Sequence, residues 1–162
     1  MKKLIVILFL SFSIWTFGQN DTLKENNNIR SEKKYGFSFF IGGPTFLGFS
    51  LDAFVLPQVN IEASVLALGI LLGANGGIKY HPFGGKNNLY WSPYIGAEYG
   101  RLELVPSDSY REFYFPLGVN YTGKKWLNFS FDIGYFIITD RYNDNKIANG
   151  LPWACLKLGF RW

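Results

Sequence analysis

The sequence has very little of the chemistry that disulfides and metal sites need. Its 162 residues include one cysteine, Cys155, and one histidine, His81. A single cysteine excludes an intramolecular disulfide and a cysteine-rich metal site, and a single histidine excludes a histidine-rich site. No glycine-rich phosphate motif stands between a strand and a helix. The sequence therefore predicts no metal and no other cofactor.

Charged residues are also scarce, at 17% of the chain, and the formal net charge is +4. Two of the positive charges, Lys2 and Lys3, belong to the first few residues. The others form no clustered basic face of the kind that a nucleic-acid-binding domain requires. We therefore expect no nucleic-acid partner.

No apolar run is long enough to span a membrane as a helix. The longest begins at Leu4 and covers about 14 residues, whereas a spanning helix needs roughly 20. A basic start, a short apolar run and a small residue before a polar stretch are typical of a secretory signal peptide. We predict a signal peptide over residues 1–18, a flexible periplasmic linker over 19–34 and one domain over 35–162.

Aromatic residues and glycine, by contrast, are abundant, at 19% of the chain and 18 residues. The segment 151–162 shows how they are arranged, because its apolar and polar residues alternate with the period of two that marks a strand. One face carries Ala154, Leu156, Leu158, Phe160 and Trp162, and the other Cys155, Lys157, Gly159 and Arg161. An apolar face opposite a charged face suits a strand with lipid on one side and a polar interior on the other.

Seven further segments alternate in the same way between turn signals, among them Gly43-Pro44 and the turns 83–89 and 123–125. Two polar stretches, 103–111 and 140–150, are predicted loops. The eight predicted strands cover 35–42, 46–55, a third from Val59, a fourth ending near Pro82, 90–102, 112–121, 126–138 and 151–162. Their number and length predict an all-β fold, an eight-stranded antiparallel up-and-down transmembrane β-barrel.

Two features of this assignment stay open in the sequence. The segment 65–74 is apolar on both faces, so a short buried helix is the alternative to a tight turn at Gly69 and Gly73. Pro93 and Pro116 fall inside predicted strands, although a closed barrel has no edge strand where a missing N–H is harmless. We expect both prolines at bulges or outside the hydrocarbon zone.

Alternation alone does not decide which face points inward. In a secreted soluble barrel, similar to a lipocalin, the Phe- and Leu-rich face would line a site for a small apolar ligand. In a membrane barrel the polar face would line the lumen, where charges must pair. Glycine on the polar face and aromatics near strand ends favour the membrane barrel. Its predicted lumen charge network comprises Asp52, Glu62, Lys79, Glu98, Asp132, Lys157 and Arg161.

Catalytic chemistry has one candidate, His81 with Ser92 or Ser64 and Glu98. No oxyanion site is evident nearby, so we predict a non-enzymatic protein in which His81 is a hydrogen-bonding residue of the lumen or its rim. Cys155 is predicted to be a small buried filler.

Over residues 35–162 the chain resembles the small Gram-negative outer-membrane β-barrel proteins of the OmpA/OmpX type. The resemblance rests on the signal peptide, eight alternating strands and a terminal strand that ends in Phe160 and Trp162. It implies location in the outer membrane, with lipid around a monomeric barrel that has no wide pore. It also implies that Phe160 and Trp162 form the C-terminal signal read by the barrel-insertion machinery. The expected role is structural or in interactions.

Overall fold

In a computed structural model, the residues described are 28–43, 46–68, 71–87, 89–104, 108–140 and 146–162. They form one helical turn, α1 (Ile29–Glu32), followed by eight strands. The strands are β1 (Tyr35–Gly42), β2 (Leu47–Leu56), β3 (Val59–Leu68), β4 (Leu71–Tyr80), β5 (Trp91–Leu104), β6 (Asp108–Thr122), β7 (Leu127–Asp140) and β8 (Lys146–Arg161). Within these ranges no helix is long and apolar enough to cross a membrane.

The eight strands form a closed antiparallel barrel in which each strand pairs with its neighbours in sequence and β1 pairs with β8. Gly36 pairs directly with Arg161 of β8. The same row of paired residues can be followed in the other direction around the barrel, from Gly36 to Asp52 of β2, to Glu62 of β3 and on through the later strands. In that direction it reaches β8 at Leu151. The row is thus displaced by ten residues along β8, the stagger that tilts the strands and sets the width of the barrel.

The two faces of the strands are sharply different. Large apolar side chains point outward and are exposed, for example Leu51 at 60% and Leu158 at 55%. Serine, asparagine and charged side chains point inward and are buried, as Ser38, Asn60 and Lys157 are. The fold therefore confirms the predicted eight-stranded barrel and overturns the alternative of an inward Phe- and Leu-rich face that would bind an apolar ligand.

The strand limits differ from prediction at one end of the barrel. β6 begins at Asp108 and β8 at Lys146, so most of the predicted loops 103–111 and 140–150 continues the sheet. Their polar composition was misleading, because strand extensions beyond the apolar belt keep their ladder bonds and need no apolar face. In the segment 65–74, β3 pairs with β4 as far as Leu68 and Leu71, so the helix alternative was wrong. Residues 69 and 70 lie outside the described ranges.

The two prolines behave differently. Pro93 pairs with Val119 at a level beyond the last pair of β4 with β5, so one neighbouring strand has already ended there. Pro116 is not at a bulge, which was one of the two positions expected for it. The β5–β6 pairs stop at Ile95 with Leu117 and resume in the same register at Glu98 with Tyr114, while Pro116 itself pairs with Gly134 of β7. The ladder accommodates this proline by a local interruption and not by an extra residue.

The predicted linker 19–34 also differs from what the structure shows in its last part. Residues 28–34 pack against the end of the barrel where β1 begins and β8 ends, which we call the terminal end. The opposite end is called the loop end. The predicted signal peptide, 1–18, and residues 19–27 lie outside the described ranges.

Candidate functional site in the barrel interior

The seven charged residues predicted for the lumen all point into the barrel, and none is more than 9% exposed. They share one face of each strand because inward positions alternate with outward ones. Residues far apart in sequence therefore meet in the interior, as Glu62 and Lys157 do. The seven share the interior with serine and asparagine side chains and with buried aromatic ones, among them Phe40, Phe54, Tyr94, Tyr114 and Phe136.

Four of the seven form a continuous chain of ion pairs. Glu62 of β3 accepts hydrogen bonds from Lys157 of β8 and from Lys79 of β4, the latter at 2.6 Å. Lys79 Nζ also lies 3.2 Å from Glu98 Oε1 of β5. Glu62 is the centre of this chain, because it is the one member that holds two cations. The two cationic donors balance the charge of the buried carboxylate locally. An isolated buried charge would have no such compensation for its lost hydration.

Arg161 and Asp52 form a second pair nearer the terminal end. Arg161 Nη2 donates to Asp52 Oδ2, which also accepts from Asn60 Nδ2 at 2.6 Å. Arg161 Nη1 donates to the Lys34 carbonyl at 3.2 Å, so this guanidinium ties the interior to the segment that precedes β1.

Asp132 is held differently from the other acids. Its Oδ2 accepts from the Tyr94 hydroxyl and its Oδ1 from the Tyr114 hydroxyl, each at 2.6 Å. Both tyrosines are 1% exposed. Hydroxyl donors to a buried carboxylate form charge-assisted bonds, which are stronger than neutral ones. Neither tyrosine was among the residues of the predicted lumen charge network.

Glu112 is an interior acid that sequence reasoning missed. It is 1% exposed, and among the described residues its carboxylate has no well-formed hydrogen bond, with the Asn75 side chain as its polar neighbour. It packs beside Asn75 and over Gly100, where an added Cβ would lie 2.6 Å from Glu112 Oε1. Its position on the same face as Tyr114 and Asn120 was the available signal.

The space left among these side chains is small. A cavity of about 20 Å³ lies between residues that include Ser38, Glu62, Lys79 and Lys157. One water molecule needs roughly 10–15 Å³. The region around the ion pairs thus has room for about one water and none for a solute.

His81, Ser92 and Ser64 are not brought together in the way that hydrolytic chemistry requires. The His81 ring packs against Phe54 at 5.1 Å and Tyr94 at 5.2 Å between centroids. Ser92 Oγ donates to the Pro93 carbonyl at 3.2 Å, and Ser64 Oγ donates to Asn75 Oδ1. Burial, and then the positive charges of Arg30, Lys79 and Arg161, lower the pKa of His81 to about 2. Cys155 is buried among interior side chains, as expected of a filler.

The terminal end is closed by residues 28–34, which we call the cap. Asn28 caps α1 by accepting from Arg30 N at 2.9 Å, and its amide donates to the carbonyls of Gly84 and Lys86 in the β4–β5 turn. Lys33 Nζ donates to the Gly123 carbonyl at 2.9 Å and to that of Lys124 in the β6–β7 turn. The cap thus connects two of the turns around the barrel mouth.

Arg30 is the innermost residue of the cap and is fully buried. Its Nη1 donates to the Leu89 carbonyl at 2.8 Å, and its guanidinium lies 5.7 Å from the Phe54 ring centroid. Burial lowers the pKa of Arg30 to about 10, with a further contribution from Arg161. Arg30 therefore remains charged at neutral pH while it blocks the mouth.

The C-terminal residues Phe160 and Trp162 lie on the outside of the barrel, 49% and 60% exposed. Trp162 continues the β1–β8 ladder by two backbone hydrogen bonds with Tyr35, of 2.9 and 3.0 Å. Phe160 stacks obliquely on Trp126 at 5.2 Å between ring centroids.

Within the part of the chain described, no group of three or more His, Cys, Asp or Glu side chains could hold a metal ion.

Taken as a class, the molecule is a closed eight-stranded antiparallel β-barrel with ion pairs among its buried interior side chains. Among solved structures, it is similar to the N-terminal β-barrel domain of OprF from Pseudomonas aeruginosa. The two superpose with a TM-score of 0.59 at 15% sequence identity, over 80% of this chain and 98% of that one. At this identity the likeness shows the fold alone. No family model and no curated protein matches the sequence.

Proposed function

We propose that this protein is a non-enzymatic β-barrel of the cell outer membrane, with a structural or interaction role and a lumen plugged by charged side chains. The observation that carries the proposal is the difference between the apolar outer face and the polar inner face of the barrel wall. Apolar side chains of every strand from β1 to β8 are exposed on the outside, including Phe39, Leu51, Ile61, Ile78, Ile95, Phe113, Phe131 and Leu158. A continuous exposed apolar belt is unfavourable in water and favourable in hydrocarbon.

The belt is bordered by exposed aromatic residues at the terminal end, among them Tyr35, Trp126 and Trp162. Aromatic side chains are enriched where a membrane wall meets water. Export by the predicted signal peptide and insertion through the terminal strand with Phe160 and Trp162 complete the proposal. The terminal end then faces the periplasm, and the loop end faces outward from the cell.

The interior supports a closed barrel in preference to a channel. The Lys157–Glu62–Lys79–Glu98 chain crosses the lumen, and the cavity beside it has a volume of about 20 Å³. Eight strands enclose only enough space for side chains to fill. In the proposed monomer, therefore, function depends on the barrel as an anchor and on what its ends contact.

The test is fractionation of cells that express the full-length protein, followed by gel migration of the membrane fraction with and without boiling. We expect recovery in the outer membrane, faster migration of the unboiled form and no measurable conductance in planar bilayers. Recovery as a soluble periplasmic protein would overturn the membrane assignment. A stable conductance of folded monomers would overturn the plug.

A further inference from the structure

We propose that the terminal end carries a basic rim that binds the anionic headgroups of phospholipids in the adjoining leaflet. The rim consists of Lys33, Lys34, Lys86, Lys124 and Lys125. This inference depends on the proposed function, because it needs a barrel that is inserted in a membrane.

The first observation is a strong imbalance of charge between the two ends. The described residues of the cap and of the turns at the terminal end include one acid, Glu32, alongside the five lysines of the rim. Lys34, Lys86, Lys124 and Lys125 are exposed and Lys33 is half-buried. The side chains described near the strand ends at the loop end are balanced, with Arg101 and Arg111 against Glu103 and the inward Glu112.

The second observation is that the cap gathers these lysines from three separate segments. Its Asn28 binds the turn that carries Lys86, and its Lys33 binds the turn that carries Lys124 and Lys125. The cap itself supplies Lys33 and Lys34. Lysines that would be independent on separate turns are therefore held around one mouth.

The third observation is the position of the rim beside aromatic side chains. Lys124 Nζ lies 5.6 Å from the Tyr90 ring centroid, and Lys86 Nζ lies 5.0 Å from that of Phe83. Exposed Tyr35, Trp126 and Trp162 lie at the same end of the wall. Lysine next to tyrosine and tryptophan is the combination found at the level of lipid headgroups.

Charge complementarity selects the occupant. The rim lysines lie at the same end of the wall as the exposed aromatic residues Tyr35, Trp126 and Trp162, which is the level of the lipid phosphates around an inserted barrel. An anionic membrane surface attracts each nearby lysine by about 1 kcal/mol, or roughly fivefold in affinity. A phospholipid with a net negative headgroup is therefore the ligand that the rim fits.

The test compares phosphatidylglycerol with phosphatidylcholine as lipids retained by the folded full-length barrel. The protein is folded in mixed vesicles of the two lipids and extracted in mild detergent, and the retained lipids are counted by native mass spectrometry. The test variant combines Lys34→Gln, Lys86→Gln, Lys124→Gln and Lys125→Gln. The matched control, Arg101→Gln with Arg111→Gln, removes positive charge from the loop end.

We expect the wild type and the control to retain at least about fivefold more phosphatidylglycerol than phosphatidylcholine, which is the factor for one lysine. The rim variant is expected to lose most of that preference. Equal retention of both lipids by the wild type would overturn the proposal, as would an unchanged preference in the rim variant. Binding of a soluble polyglutamate peptide in place of phosphatidylglycerol would also overturn it. A heat-dependent mobility shift in phosphatidylcholine checks separately that the barrel folds in lipid, so its absence would count against the proposed function instead.

Discussion

The Tyr94 hydroxyl of β5 donates a hydrogen bond of 2.6 Å to Asp132 Oδ2 of β7, across a strand that lies between them. That intervening strand, β6, supplies Tyr114, whose hydroxyl donates to the other carboxylate oxygen. One aspartate thus connects three consecutive strands from inside the barrel. Its two donors have no charge, so the arrangement can be weakened without leaving a buried cation behind.

We expect Tyr94→Phe and Tyr114→Phe each to destabilise the barrel by about 1–3 kcal/mol, the effect of removing one donor from a buried charged acceptor. The double variant is expected to lose more stability than either single variant. The measurement is the temperature at which the unboiled gel form converts to the unfolded form. Tyr135→Phe is the control, because Tyr135 lies on the outside and is 50% exposed. An effect of Tyr135→Phe as large as that of the interior variants would contradict this account.

The ion-pair chain predicts a ranking of substitutions. Glu62→Gln leaves both Lys79 and Lys157 without their shared carboxylate and is expected to cost about 3–5 kcal/mol. Glu98→Gln is expected to cost less, because Lys79 keeps Glu62. The same thermal gel assay measures both. Equal stability losses for the two variants, or no loss for either, would contradict the central position of Glu62.

How far the sequence predicts this interior can be judged from these residues. Alternation with a period of two places Asp132 and Glu62 on the inward face of their strands, since that depends only on local geometry. Which inward residues meet depends on the ten-residue stagger, which is set when the barrel closes. For that reason the partners of Asp132 on β5 and β6 were missed.

The cap shows a second limit of prediction from sequence. Residues 28–34 are polar and resemble a linker in composition. Asn28, Arg30 and Lys33 nevertheless bind backbone carbonyls of two turns and of Leu89. The barrel fold alone brings these carbonyls next to the cap, and every residue carries a carbonyl, so such contacts leave no pattern in the sequence.

Opening the cap should expose His81. The test variant combines Asn28→Ala, Arg30→Ala and Lys33→Met, which removes the side-chain hydrogen bonds that hold the cap. We expect diethyl pyrocarbonate to modify His81 much faster in this variant than in the wild type, where the residue is 2% exposed. Modification is followed by the mass of the peptide that contains His81, the one histidine of the chain. Ser31→Ala with Glu32→Ala alters exposed residues of the same cap and should leave the rate unchanged. Protection of His81 in both variants would show that the cap does not close the mouth.

The pKa of His81 also predicts a dependence on pH. Its folded value of about 2 lies below the ordinary value of 6.5, because burial and the charges of Arg30, Lys79 and Arg161 oppose protonation. The contribution of neutral His81 to the free energy of unfolding is therefore complete above pH 6.5. Below that pH it falls by up to about 1.4 kcal/mol per pH unit, because the unfolded chain binds the proton that the folded barrel does not. The measurement compares thermal conversion at pH 7.5 and 4.5 for the wild type and His81→Gln. The wild type should lose more stability than the variant, and an equal loss would contradict the prediction.

Two glycines give a matched test of interior packing. A Cβ added at Gly100 would lie 2.4 Å from Asn75 Cβ and 2.8 Å from the Ala74 carbonyl, both fixed close to the backbone. At Gly76, on the outer face, the nearest atom would be the Glu62 carbonyl at 3.6 Å, an ordinary contact. We expect Gly100→Ala to destabilise the barrel by about 1–3 kcal/mol through overpacking, and Gly76→Ala to have little effect. Thermal gel conversion of the two variants measures the difference. Equal stability of the two variants would mean that the interior can expand at the level of Gly100. The proposed plug would then be less tightly packed than the contacts of Glu112, Gly100 and Asn75 indicate.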